Sequence, residues 1–338
     1  MSVTAVTPAK ADEKITMLQA INWALDDAMA HDPRVLVFGE DVADPEGGGV
    51  SGITRGLSTK YGAARVRSTP ISEQAIVGAA IGAAIAGMRP VAEIMLMNFT
   101  AVAMDMIVNH AAKLRFMSGG QTHVPLVIRT MTGAGYSYGG QHADFLEAWF
   151  AHTAGLKVVI PSNPADAYGL MLSCIDDDDP CIFVENLPHL RAAPTTAPVR
   201  GKRVPLGKAN VLRSGKDVTV ITYSRQVHDA VAVADKLAGE NLSVEVIDLR
   251  TISPLDMPTL LESVGKTGRA LIVHEAVKSF GVGAEIAAQL NEALFGKLKA
   301  PVLRLGGAFC PVPFSKPLET AFIPGQADIE AAIRKLLG

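Results

Sequence analysis

Apolar positions along this chain recur with two alternating periods. Residues 16–31 set Met17, Leu18, Ile21, Leu25 and Ala28 on one face, with Thr16 at the N-cap position, and predict an amphipathic helix. "VLVFGED" (35–41) is a short apolar run that predicts a buried strand leading to the glycines at 47–49. Residues 75–88 are apolar or small at every position, which predicts a buried helix. This run of 14 residues is too short for a bilayer span, which takes about 20. Further strands are predicted at 91–97, 124–130, 156–161 and 181–186, with helices at 100–117 and 164–175 and a glycine-rich loop at 132–144 that leads to a short helix. Residues 187–208 hold four prolines and no sustained period. A second series follows, with strands at 218–223, 243–249, 270–274 and 301–305 and helices at 226–238, 256–264, 283–295 and 327–337.

Strands alternating with helices predict an α/β fold with mostly parallel sheets and helices on both faces. The expected organisation is a loose tail (1–14), a first domain (15–187), a linker (188–208) and a second domain (209–338), in keeping with about two domains for 338 residues.

Composition narrows the function classes. The chain is 49% apolar and 19% charged, so it can bury a large core and still hide surface against another chain. A formal net charge of -3, from 31 basic and 34 acidic residues, points to neither nucleic acid nor an anionic membrane. Cys174, Cys181 and Cys310 have no zinc or CxxC spacing and read as reduced thiols of a cytoplasmic protein. The N-terminal segment has neither the pattern of a signal peptide nor that of an anchor.

Several residues stand out chemically. Glu73 precedes the apolar run. It reads either as a first-turn residue behind a Ser72 cap, favoured by the helix dipole, or as a carboxylate in a dry pocket able to share a proton with a heterocyclic nitrogen. Gly78, Gly82 and Gly87, with alanines between them, would let a second helix approach closely, across a subunit boundary for instance. His142 follows the glycine-rich loop, where a proton donor can be placed in a cleft; a polar surface residue is the plainer reading. Phe99 ends a predicted strand at the edge where open α/β sheets bind ligands, although a core aromatic would also suit that position. "DDDDP" (176–180) follows a helix C-terminus and reads as a solvated loop or as a hard-cation site. "GVGAEI" (281–286), which leads into the helix at 283–295, lacks the third glycine of a dinucleotide fingerprint and reads as close helix–sheet packing.

The order and spacing of "FGEDVA", "TPISE", "GAAIGAAIAGMRPVAEI", "AAKLRFMSGG", "VPLVIR", "AGLKVVIPSNPADAYGL", "PLGKA", "VIDLRTISPLD", "SVGKTGRALIVHEA" and "GAEIAAQ" carry a family resemblance from about Ile15 to the C-terminus. The chain resembles the β subunit of the thiamine-diphosphate-dependent first component of 2-oxo acid dehydrogenase complexes, the pyruvate, branched-chain and acetoin dehydrogenases. The resemblance implies a transketolase-like pyrimidine-binding domain and a transketolase C-terminal domain. It implies that Glu73 hydrogen-bonds N1′ of the cofactor's aminopyrimidine, that Phe99, Ile71 and Met95 line that ring, and that His142 is the active-site histidine. It also implies that Leu126, Cys174, Ile175, Asp177 and Asp179 hold a monovalent cation such as K+, as in some members, partly through main-chain oxygens.

The chain has no GDG motif, which in the family opens the stretch that binds Mg2+ and the diphosphate. The resemblance therefore implies half a cofactor site, completed by an α subunit that holds the Mg2+, in an assembly of two α and two β chains. It further implies acyl transfer from a small carbonyl substrate to a lipoyl acyltransferase core. His142-Ala143-Asp144 departs from the His-Ser-Gln or His-Ser-Asp of many members and leaves the acyl substrate open. A C-terminal subunit of a split transketolase and a non-catalytic scaffold subunit are the rival readings.

Overall fold

Strand β1 (Lys14–Ile15) leads into α1 (Met17–His31), whose start is held by a capping box. The Gln19 amide donates to Thr16 Oγ1 at 3.3 Å, and the Thr16 amide donates to Gln19 Oε1 at 2.9 Å. The structure is a computed structural model describing residues 13–192 and 194–338, so the tail expected at 1–14 lies outside the described residues except for Glu13 and Lys14. The chain forms two units. One runs to Thr132 and resumes over Trp149–Leu206; the other comprises Gly133–Ala148 and Gly207–Gly338.

The first series continues with β2 (Val35–Gly39), α2 (Leu57–Tyr61), β3 (Val66–Ser68), α3 (Glu73–Ile85), β4 (Arg89–Leu96), α4 (Leu114–Met117), β5 (Val127–Thr132), α5 (Glu147–Ala151), β6 (Lys157–Val159), α6 (Pro164–Asp176), β7 (Cys181–Asn186), α7 (Leu187–Leu190) and β8 (Thr195–Thr196). Six strands of the first unit lie in the order β6-β7-β5-β4-β2-β3, and every pairing among them is parallel. All positions of β5 and β7 are buried, so both faces of the sheet are covered there. Helix α1 packs on α6, and Ile21, Leu25, Val35, Val37, Tyr168 and Leu172 share one apolar cluster. Because β3 and β4 flank β2 on opposite sides, the chain reverses direction across the sheet at β2. The crevice outside the carboxyl ends of these strands is where open α/β sheets bind ligands.

Two stretches depart from the sequence pattern. In place of one helix over 100–117 there is a 3-10 segment (Met97–Ala103), a π-helical segment (Met106–Ala111) and the short α4. The wider π turn buries Ile107 and Ala111 while Asn109 and His110 stay exposed, so side-chain packing overrides the regular period. The proline-rich stretch expected as a linker is laid along the first unit. Arg200 pairs with Asp27 at 2.6 Å and lies over the Trp23 ring at 4.6 Å, and the Gly201 amide donates to Tyr168 Oη at 2.5 Å.

The second series is β9 (Asn210–Arg213), β10 (Val218–Thr222), α8 (Gln226–Ala238), β11 (Val244–Asp248), β12 (Thr251–Ser253), α9 (Met257–Thr267), β13 (Ala270–Val277), α10 (Val282–Leu294), β14 (Leu303–Gly307), α11 (Lys316–Phe322) and α12 (Gln326–Leu337). Its sheet has the order β14-β13-β10-β11-β9, parallel except for the edge strand β9. The glycines of "FGVGAEI" serve packing: a Cβ on Gly281 or Gly283 would come within 2.9 Å or 2.8 Å of the buried His274 ring. No helix among the described residues is long and apolar enough to cross a membrane.

Candidate active site

At the carboxyl edge of the first unit's sheet, β3 ends at Ser68 and the chain turns through Thr69–Ser72 into α3. Ser72 occupies the N-cap position but its side chain makes no capping bond. Glu73, the first residue of the helix, is 9% exposed, and its carboxylate makes no hydrogen bond or ion pair among the described residues. The orphan amides of the helix start and the dipole favour its charge; burial opposes it. Glu40, at the end of β2, senses the same carboxylate. Burial first, then the charges of Glu73, Asp41 and Glu93, hold the Glu40 carboxyl above its ordinary range. Met95 and Phe99 are half-buried at the end of β4 and in the 3-10 segment after it, and Ile71 is 83% exposed in the turn before α3. These four sequence-predicted residues therefore share one sheet edge. A cavity of about 430 Å³ opens beside the first turns of α3, lined by Phe38, Arg67, Thr69, Ser72, Ala75 and Ala79.

Glu40 and Glu93 were not singled out from the sequence as site residues. The signal for Glu40 lay in "FGED", a charge placed directly after a buried strand. Glu93 is buried on β4 and bonds Arg129 Nη1 at 2.5 Å. Gly49 leaves room for it, because a Cβ there would stand 2.9 Å from Glu93 Oε1. Small residues line the outer face of α3: Ala75, Ala79, Gly82 and Ala86 are exposed, and among the described residues nothing beyond the neighbouring helix backbone lies within 4 Å of where a Gly82 Cβ would be.

His142 is half-buried in the segment 133–148, which groups with the second unit. This segment is irregular, with positive φ at Gly133, Gly135, Ser137 and Gly139. Three of these are glycines; at Ser137 the left-handed conformation costs about 1–2 kcal/mol, which its contacts must offset. Ala143 is buried with Ala134, Val312, Phe322 and Ile323, and Asp144 Oδ1 accepts from the Val312 amide at 3.4 Å. The two residues that depart from the family pattern thus anchor the segment. At its end, Tyr223 Oη donates to the buried Glu147 Oε1 at 2.6 Å, and burial pushes Glu147 up to about 7.

Leu126, Cys174, Ile175, Asp177 and Asp179 gather at the amino edge of the first unit's sheet, a strand's length or roughly 20 Å from Glu73's edge. Protein cations engage several of them. Lys157 Nζ lies 2.5 Å from both Asp177 oxygens, and Arg115 Nη1 lies 2.7 Å from Asp179 Oδ1. Arg89 Nη1 donates to the Ile175 and Asp177 carbonyls at 2.9 and 3.0 Å. Among the described residues, no group of three or more His, Cys, Asp or Glu side chains is arranged to hold a metal.

The fold and its sheet-edge carboxylate define a class: a pyrimidine-binding domain of transketolase type followed by a transketolase C-terminal domain. Residues 13–192 match the first of these domain families and residues 207–329 the second. A solved split-gene transketolase, an inactive β4 tetramer, superposes with a TM-score of 0.78 at 22% identity, covering 96% of this chain and 99% of its own. That likeness establishes the fold alone. The β subunit of acetoin:2,6-dichlorophenolindophenol oxidoreductase from Cupriavidus necator is 46% identical over 96% of this chain and 98% of its own. The pyruvate dehydrogenase E1 component β subunit of Bacillus subtilis is 42% identical over 96% and 99%. The chain belongs to the family of pyruvate and acetoin dehydrogenase β subunits, which are oxidoreductases. The dehydrogenase reading fits these relatives; the split transketolase and the scaffold subunit do not.

Proposed function

We propose that this chain works as the β half of a thiamine-diphosphate-dependent dehydrogenase that cleaves a C–C bond next to a carbonyl and passes the acyl group to lipoamide. Acetoin and pyruvate are its two candidate substrates, and the reading places it in the cytoplasm. The observation that carries the proposal is Glu73: a buried carboxylate with no partner among the described residues, at a helix start beside the switch point of a parallel sheet. A carboxylate left this way suits a ligand nitrogen that shares its proton. Phe99, Met95 and Ile71 offer apolar surface for a planar ring at the same edge. Bound thiamine diphosphate supplies a nucleophilic carbon and an electron sink. Glu73 holds or moves a proton at N1′ of the aminopyrimidine, and His142 handles protons at the substrate carbonyl or during acyl transfer.

The remaining parts come from elsewhere. An α subunit holds the diphosphate and Mg2+, in an assembly of two α and two β chains, and a lipoyl acyltransferase core accepts the acyl group. The exposed small-residue face of α3 suits close approach by a partner helix. A K+ ion would use the main-chain oxygens of Leu126 and Cys174, because protein cations hold the Asp177 and Asp179 carboxylates and Arg89 takes the Ile175 carbonyl.

The test is to purify the chain with its α subunit and assay a panel of acyloins and 2-oxo acids with and without thiamine diphosphate. Glu73→Ala is expected to lower kcat about 10²–10⁴-fold and to weaken cofactor binding. Wild-type activity and cofactor affinity in that variant would refute the reading.

A further inference from the structure

In regular structure, backbone groups are held by a ladder of other backbone groups. In the segment that carries His142, side chains do this work, and they do it in pairs. The Ala134 amide donates to Glu275 Oε1 at 2.6 Å, and Arg225 Nη1 donates to the Ala134 carbonyl at 2.9 Å. The next residue is held the same way. The Gly135 amide donates to Glu319 Oε1 at 2.6 Å, and Lys316 Nζ donates to the Gly135 carbonyl at 2.7 Å. Each acid also lies near its base, Arg225 Nε at 3.9 Å from Glu275 and Lys316 Nζ at 3.2 Å from Glu319. Two successive residues are thus each gripped at both N–H and C=O by an acid–base pair.

Glu319 extends the grip. Its Oε1 also accepts from the amide of Ser137 at 3.0 Å, the residue held at φ +58°. Glu319 itself is fully buried, near the start of α11. Burial works to raise its pKa, but the two amides and Lys316 outweigh burial and keep the carboxyl below its ordinary range. The far part of the segment packs instead: Gly140 sits where a Cβ would meet Pro311 at 2.7 Å, and Ala143 lies in the apolar cluster with Val312. His142 lies within the packed part, between Gly140 and Ala143, and the gripped residues lead into it.

We propose that the pairs Glu275–Arg225 and Glu319–Lys316 are positioning residues for His142, fixing an irregular segment so that the imidazole is already in place when substrate arrives. The proposal rests on the catalytic reading of His142. Charge pairs from α11, β13 and the turn before α8 suit this task, because irregular backbone with alternating positive φ offers no ladder of its own.

The test uses the assembled α–β complex and two readouts. In Glu319→Ala, hydrogen exchange over 133–140 is expected to quicken about tenfold or more while peptides of β10 and β13 keep wild-type protection. The kcat should fall about 10–100-fold with KM changed by no more than about twofold, as for a misplaced group that acts in the transition state. Adding Glu319→Ala to His142→Ala should cost nothing further on the residual activity. Glu319→Gln, which keeps one acceptor oxygen but sets an NH2 against Lys316, should give the same changes at smaller amplitude and serves if the alanine variant fails to assemble. Unchanged exchange over 133–140, faster exchange with wild-type kcat, or a full additional loss on the His142→Ala background would each overturn the proposal. Full activity of His142→Ala alone would overturn the reading beneath it, and is told apart because exchange is measured without turnover.

Discussion

Two buried carboxylates, Glu185 of the first unit and Glu147 of the second, are held differently. In the first, Glu93 and Glu185 share one guanidinium. Arg129 Nη1 donates to Glu93 at 2.5 Å, while its Nε and Nη2 both engage Glu185. In the second, among the described residues, Glu147 has the Tyr223 hydroxyl on Oε1 and no partner on Oε2. Burial nevertheless pushes both Glu185 and Glu147 up to about 7. The contrast lies in what each arrangement leaves behind when one member is lost. Without Arg129, two buried charges are stranded; without the Glu147 charge, nothing is.

That contrast predicts effects of opposite sign. Arg129→Met should cost about 3–5 kcal/mol near pH 7.5, the usual result of removing one side of a buried ion pair. The deficit should shrink at pH 5, where the stranded carboxylates can take up protons. Denaturant midpoints at the two pH values measure this. A loss under about 1 kcal/mol, or one that grows in acid, would mean that Arg129 does not compensate the two acids.

Glu147→Gln should do the reverse. With a folded pKa of about 7 against an ordinary 4.5, the folded chain holds more protons than the unfolded chain between those values. Stability from this group therefore falls as pH rises through that window, by up to about 3 kcal/mol once above it. Tyr223 and Glu275 are the titratable groups acting on it. A glutamine cannot ionise, so the variant should match wild type at pH 4.5 and exceed it at pH 8. Thermal midpoints across that range decide; parallel curves for the two proteins would show that Glu147 stays ionised or never titrates.

How much of this could be read from the sequence follows the same division. Helix α3 and Glu73 were legible, because an apolar run of helical length with one charge at its mouth is a local pattern. Phe99 was read as ending a strand, whereas β4 stops at Leu96 and Phe99 falls in the 3-10 segment after it. The grips on the His142 segment were not, since their members stand 141 and 184 positions apart and none has a local signature. Ala143-Asp144 drew attention as a departure from the family and suggested altered substrate contacts. In the structure Ala143 faces an apolar cluster and Asp144 accepts a backbone amide, which only tertiary packing could decide. The acids of "DDDDP" likewise gave no hint that Lys157, Arg115 and Arg89 would meet them.

Glu73 stands outside both arrangements, with neither cation nor phenol, and the residue before it supplies the smallest and sharpest test. If Glu73 were only a favourable first-turn residue, its helix should start with a working cap. Ser72 sits at the N-cap with φ -166° and ψ 77°, exposed, and its hydroxyl reaches no helix amide. A functioning serine cap is worth about 0.5–2 kcal/mol, whereas Ser72→Ala here should change stability by less than about 0.5 kcal/mol. The orphan amides at the start of α3 then remain open to a ligand or to the neighbouring chain. Chemical denaturation of the variant beside wild type measures the difference. A loss of about 1 kcal/mol or more would restore the cap and weaken the case that this helix start is kept free for something outside the chain.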